Sequence, residues 1–288
     1  MATMSKQKLA LFKIILTALF TALCFIGVYI HIPMPTGFVH LGNMICILGA
    51  LLIGGVYGGI SGSLGMGLAD LALGYGLPSF LRTIILKFIM GLIAGLLFKL
   101  ILKKKLNVKK LTIILVVILG LLTITTITLS IVSYNNGFVI TYIKSGKEVV
   151  KTIKIHWIIP LFTGIMFIIG IIDLIIEKKL GVLSGAALIA SSMGIFFNIF
   201  GEVYIKAVLY YWVSSAYSSL NDAYLYAVTG LPSTIITSVL TVSIIGFIYY
   251  PIYRATKSFN PLDYVTPLIE DTSNDDFDFD DEEKDAED

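Results

Sequence analysis

Charge is scarce in this chain. Only 14% of its 288 residues are Asp, Glu, Lys or Arg, where a soluble domain carries about a quarter. That shortage, with 57% hydrophobic residues and a mean hydropathy of +0.90, excludes a water-soluble fold. Cysteine is nearly absent too. Cys24 and Cys46 both lie in apolar runs, so neither a disulfide framework nor a cysteine metal spacing exists. They read as small apolar core residues. Histidine is limited to His31, His40 and His156, scattered at the edges of apolar runs. A metal needs convergent ligands, so no metal is expected, and the three read as interface residues. No Gly-Lys-Ser/Thr follows the glycine-rich stretch, so this chain cannot hydrolyse nucleotide itself. Gly59-Ile-Ser-Gly62 imitates a serine-protease box. A nucleophilic serine needs a histidine within reach, and His156 should lie most of a membrane away from Ser61, about 30 Å. No catalytic residue, no cofactor and no nucleic-acid partner is expected, and the chain is read as a non-enzyme.

What the chain has is apolar length. Lys6, Lys8 and Lys13 accompany the run Leu9–Ile30. A basic start before an apolar segment also fits a signal peptide. This run is long enough to span, and no Ala-x-Ala site closes it, so it reads as a first membrane helix. Further spans are expected at Asn43–Val56, Gly58–Leu73, Leu81–Ile101, Leu111–Ser133, Trp157–Ile176, Leu183–Val213 and Leu231–Tyr253. The fold class is therefore an all-α integral membrane bundle of about eight helices. The second and third spans are short and glycine-broken, as in bent transporter cores. Gly54/Gly58/Gly62 and Gly55/Gly59 have the small-xxx-small spacing that lets helix backbones approach in lipid. The seventh span exceeds the roughly 20 residues needed to cross, so it should tilt or project.

Lysine and arginine set the orientation. With the N-terminus inside, the inner face holds Lys6, Lys8, Lys13, the cluster Lys99–Lys110, Lys178, Lys179, Arg254 and Lys257. The outer face holds only Lys144, Lys147, Lys151 and Lys154. Loops 31–42, 74–80, 134–156 and 214–230 are then outside, both termini are cytoplasmic, and the protein lies in the plasma membrane. The run from Glu270 to Asp288 is almost wholly acidic and is expected to be a disordered, solvated tail.

Ionisable groups inside spans are costly and suggest function. Asn198, Glu202, Lys206 and Tyr210 recur every four residues, so they share one helix face. They could wall a polar pocket, or Glu202 and Lys206 could simply neutralise each other. Lys87 lies deep in the fourth span. Arg82 should snorkel to the headgroups, and Asp70 should pair with Arg82 or Lys87.

The stretch 31–95 carries a family resemblance. Its elements are the loop Thr36-Gly-Phe-Val-His-Leu-Gly-Asn43, the joint Gly54-Gly-Val-Tyr-Gly-Gly-Ile-Ser-Gly62, Leu68-Ala-Asp70, and Lys87-Phe-Ile-Met-Gly-Leu-Ile-Ala-Gly95. Together they resemble the substrate-binding S component of energy-coupling-factor (ECF) vitamin transporters, from about residue 8 to 104 and again over 181–257. The resemblance implies a six-helix core, with residues 1–105 as its first four helices and 180–258 as its last two. Residues 106–179 would be an inserted hairpin and 259–288 a tail. It implies capture of a water-soluble vitamin outside, and delivery with a transmembrane coupling subunit and two cytoplasmic ATPases as the whole S component topples. Asn43, Lys87, Asn198, Glu202, Lys206 and Tyr210 are the candidate substrate-binding residues, with loop 31–42 as lid. Ala18 and Ala22 match the Ala-x-x-x-Ala that docks on the coupling subunit in this family, although internal packing would explain them equally. Ala2 stands where nickel and cobalt S components have histidine, which argues against a metal substrate. A self-sufficient ion-coupled transporter or a membrane scaffold, with Asp70, Lys87, Glu202 and Lys206 as a relay, is the alternative.

Overall fold

A computed structural model describes residues 6–34, 37–104, 106–155, 157–214 and 216–256. The expected acidic tail (259–288), and Pro35 and Thr36 of the expected lid, lie outside the described residues. The elements run α1 (Lys6–Tyr29), β1 (His31–Met34), β2 (Gly37–His40), α2 (Gly42–Ile53), α3 (Gly55–Ala72), α4 (Gly76–Lys103), α5 (Val108–Ser133), β3 (Phe138–Lys144), β4 (Lys147–Ile153), α6 (Ile158–Ser214), α7 (Leu220–Thr229) and α8 (Leu231–Thr256). Among the described residues, five helices are long and apolar enough to cross a membrane: α1, α4, α5, residues 183–214 of α6, and α8. The protein is an all-α membrane bundle.

Glycine sets how closely the first helices pack. Gly54, between α2 and α3, has φ +101°, where a side chain would be strained. A Cβ on Gly58 would lie 2.2 Å from the Ala50 nitrogen, and one on Gly95 2.3 Å from the Gly55 Cα. α2, α3 and α4 therefore touch backbone to backbone, as the spacing of the glycines leads one to expect.

α6 departs from expectation. Two separate spans, Trp157–Ile176 and Leu183–Val213, are expected there, whereas the helical backbone continues from Ile158 to Ser214. It nevertheless doubles back. The Cβ position at Gly246 of α8 lies 3.3 Å from Leu188 Cδ1 and 3.7 Å from Ile169 Cγ2. In a straight helix those two residues would be about 28 Å apart. Ile159 clusters with Ile236, so the first limb, 158–172, runs alongside α8 in the same direction and the second, 183–214, returns. α5 packs principally on α6, through Gly120 against Phe167 and Gly170 against Val116.

The four segments expected as outer loops meet at one end of the bundle, but they are more ordered than loops. Residues 31–40 form an antiparallel hairpin with His31 opposite His40. Residues 138–153 form a second, pairing Phe138 with Ile153. Its turn, Ser145-Gly146, has φ +52° and +73°, the paired positive values of a two-residue type I′ turn. α7 occupies part of 214–230. Phe38 stacks on Tyr75 at 5.9 Å, and Ser145 N–H donates to the Ala216 carbonyl at 2.6 Å.

Candidate functional site

The seam between α4 and α6 holds most of the buried charge. Small residues make it tight: a Cβ on Gly194 would sit 2.7 Å from the Met90 carbonyl, and one on Gly201 2.1 Å from Leu86 Cδ2. Lys87, 4% exposed, is thereby brought onto the second limb. Its Nζ donates to Asn198 Oδ1 at 2.6 Å and lies 3.8 Å from Glu202 Oε1. Arg82 Nη1 lies 3.5 Å from Glu202 Oε2, and Arg82 Nη2 lies 3.5 Å from Asp70 Oδ2. Asp70 Oδ2 also accepts from Ser79 Oγ at 3.0 Å and Thr83 Oγ1 at 2.5 Å. The result is one chain of charges, Asp70–Arg82–Glu202–Lys87, ending on Asn198.

Burying charge is expensive unless it is paired and hydrogen-bonded. The pairing here is incomplete. Among the described residues, Arg82 Nε and Asn43 Oδ1 are buried without a hydrogen-bond partner. Asn43 is 2% exposed. It lies one turn before Cys46, whose Sγ donates to the Lys87 carbonyl at 3.7 Å, so Asn43 sits on the α2 face turned toward α4.

Two sequence expectations are revised. Arg82 does not snorkel to headgroups; it turns inward, because Asp70 and Glu202 both offer carboxylates. Glu202 pairs with Arg82 and Lys87, not with Lys206. Lys206 makes no ion pair with a described carboxylate. Its Nζ lies 4.6 Å from the Tyr226 ring centroid and 6.0 Å from that of Tyr210, within cation–π range. Tyr210 in turn packs on Tyr226 and Tyr217, with centroids 5.5 and 6.3 Å away. Five of the six expected residues thus form two groups. Lys87 bonds Asn198 and pairs with Glu202, while Asn43 is buried on α2. Lys206 and Tyr210 stand nearer the capped end, in a tyrosine nest.

His40, Tyr226 and Tyr217 were missed as site residues. His40 Nδ1 accepts the Gly42 N–H at 3.1 Å, which places the ring proton on Nε2. Burial, with the charges of Lys87 and Arg82 adding to it, brings its pKa down to about 3. His40 is therefore a neutral donor at the cap, close enough to feel the buried charges. Burial raises the Tyr226 phenol to about 12, so it stays protonated. The cue for His40 was the sequence His-Leu-Gly-Asn, where a side chain can accept from the first helical amide.

Ala18 and Ala22 lie elsewhere. Both are exposed and line an apolar groove of about 710 Å³ between α1 and α3, with Thr17, Phe25, Tyr57 and Leu64. Ser61 Oγ donates to the Thr17 carbonyl at 3.0 Å and holds α1 onto α3 beneath it.

Residues 8–175 match the family described as ECF-type riboflavin transporter, S component. The chain belongs to this family, and so is a membrane substrate-binding subunit of a transporter. The match runs through 106–175, which the resemblance set apart as an insertion, and stops before the limb bearing Asn198, Glu202, Lys206 and Tyr210. No curated protein and no solved structure matches the chain.

Proposed function

We propose that this subunit captures riboflavin outside the cell and delivers it inward with a transmembrane coupling subunit and two ATPases. The observation that carries the reading is the buried, incompletely paired chain Asp70–Arg82–Glu202–Lys87–Asn198 beneath a capped end. A ligand pocket needs a few fixed polar groups among apolar walls. Here Lys87, Arg82 Nε and the Asn198 amide supply donors, and Glu202 and Asn43 Oδ1 supply acceptors. Lys206 and Tyr210 add a charge and a ring toward the mouth. Riboflavin has a flat aromatic body, a donor–acceptor edge and a polyol tail, and that chemistry suits this set. The capped end faces outside and both termini lie in the cytoplasm of the plasma membrane, a reading supported by the lysine distribution. Residues 1–105 and 180–258 form the transporting core, and 106–179 an accessory hairpin on its periphery. The groove at Ala18 and Ala22 receives a helix of the coupling subunit.

The test is direct binding. Purified protein in detergent should quench riboflavin fluorescence with one saturable site, and mass spectrometry of protein from native membranes should find a flavin. Failure to quench, with another vitamin found bound, would replace riboflavin. Transport by this chain alone in liposomes would overturn the need for partners.

A further inference from the structure

The β3–β4 hairpin is a short two-stranded unit, which alone is marginal in water. It is pinned to the other side of the capped end. Ile143 N–H donates to Asp222 Oδ1 at 2.9 Å, and Asp222 Oδ2 accepts from Ser219 Oγ at 2.7 Å. Ser145 N–H donates to the Ala216 carbonyl at 2.6 Å. Most of the hairpin's side chains are exposed or half-buried, yet Tyr142 is only 3% exposed. Its ring lies 5.8 Å from Tyr226 and 6.3 Å from Tyr217. Tyr226 is the ring under the Lys206 ammonium, 4.6 Å away. Tyr226 is also stacked by Tyr217 at 5.2 Å and flanked by Tyr210 at 5.5 Å. Lys144 Nζ of β3 lies 5.7 Å from the Tyr226 centroid. Tyr142 is thus the ring by which the 134–156 segment completes this nest beside the candidate pocket.

Lys206 has a competing place to go. Glu202 lies four residues earlier on the same helix, a spacing at which opposite charges meet. A lysine stem is long and flexible, and the face of a fixed aromatic ring can hold its ammonium elsewhere. We infer that Tyr142 is a positioning residue: by backing the Tyr226 ring it keeps Lys206 off Glu202, so the β3–β4 hairpin helps to set riboflavin affinity. Without Tyr142 the ring gains freedom, Lys206 falls back onto Glu202, and the carboxylate is no longer available to the ligand. This inference rests on the pocket reading above.

Riboflavin quenching titrations test it with Tyr142→Leu, Tyr142→Phe, Lys206→Met and the Tyr142→Leu/Lys206→Met double variant. Tyr142→Leu should weaken binding about tenfold, the scale of one lost cation–π contact. Tyr142→Phe, which keeps the ring, should bind like wild type. In the Lys206→Met background Tyr142→Leu should add nothing. Losses that multiply in the double variant, or a Phe variant as weak as Leu, would show simple packing and overturn the inference. If Tyr142→Leu fails to fold, Tyr226→Leu removes the same ring from α7 and should reproduce the tenfold loss. Unchanged binding in Tyr142→Leu while Lys87→Met and Glu202→Gln are impaired sinks this inference alone. Unchanged binding in all three, or no riboflavin binding by wild type, removes the pocket reading with it.

Discussion

The first limb of α6, 158–172, meets α5 through Gly170 and Thr163; the second, 183–214, meets α4 through Gly194, Gly201 and Asn198. Both seams use small residues, because lipid tails are as apolar as leucine and helices associate in a membrane by close packing. Only the second seam also buries charge. Of the most apolar window in each, 67% is buried in 183–214 and 22% in α5. The difference separates two uses of one kind of packing. The α5 seam holds α5 to the first limb of α6, whereas the α4 seam also brings Lys87, Arg82 and Glu202 face to face. The most damaging way to probe this is to fill the two seams in turn. Gly194→Leu would press on the Met90 backbone, 2.7 Å from the new Cβ, and should cost more than about 3 kcal/mol. Little monodisperse protein should remain by size exclusion. Gly164→Ala, with its nearest neighbour 3.8 Å away, should purify and melt like wild type. Equal losses would mean the two seams are equally demanding.

A second contrast sets the α4–α6 seam against the groove between α1 and α3. The seam is closed and charged, and the groove is open and apolar. If the groove receives a coupling helix, Ala18→Trp should abolish ATP-dependent riboflavin uptake in cells while purified protein keeps its riboflavin affinity. Loss of both together would mean that Ala18 serves the bundle's own packing.

Within the charged seam the expected effects are smaller. An unsatisfied buried polar group costs about 1–3 kcal/mol, so removing one ligand partner should weaken riboflavin binding roughly ten- to a hundredfold. We expect that from Lys87→Met and from Glu202→Gln. Folded protein should survive both changes. Without Lys87, Glu202 keeps Arg82; in Glu202→Gln, the single amide oxygen can accept from one cation, while Arg82 keeps Asp70 and Lys87 keeps Asn198. Unchanged affinity in both variants would mean that the chain of charges is structural and the pocket lies elsewhere.

The spans and the quartet Asn198, Glu202, Lys206 and Tyr210 were legible because helical periodicity reports a face directly. Lys87 was legible because an ammonium deep in an apolar run has few innocent explanations. The partners were not legible. A spacing of four suggests Glu202 with Lys206, and nothing local reveals that Arg82 and Lys87 approach from another helix. The inward turn of Arg82 depends on Asp70 being across a short loop with Ser79 and Thr83 to share. The reversal between the two limbs was expected from two separate spans; what was hidden is that the helical backbone continues through it. The β3–β4 hairpin did leave a cue, Ser145-Gly146 between alternating β-branched residues. Reading 134–156 only as a basic loop passed over it, and Tyr142 with it.

The smallest expected effect lies in the α5 seam. Thr126 and Thr163 hydroxyls meet at 3.0 Å between the two helices, which in lipid invites a large energy for their bond. Two observations argue for a small one. Thr126 Oγ1 also lies 2.9 Å from the Thr123 carbonyl, and Thr163 Oγ1 3.1 Å from the Pro160 carbonyl, so two hydroxyl protons are shared among three contacts. Either hydroxyl therefore keeps a partner in its own helix when the other is lost, and interhelical bonds of this kind average about 0.6 kcal/mol. Valine preserves the shape of threonine, so Thr163→Val opens no cavity. A thermal melt in detergent should show a small loss of stability on that scale, and riboflavin affinity should stay within about threefold of wild type. A larger loss of affinity would place the first limb of α6 against the ligand, and the separation between the two limbs would fail.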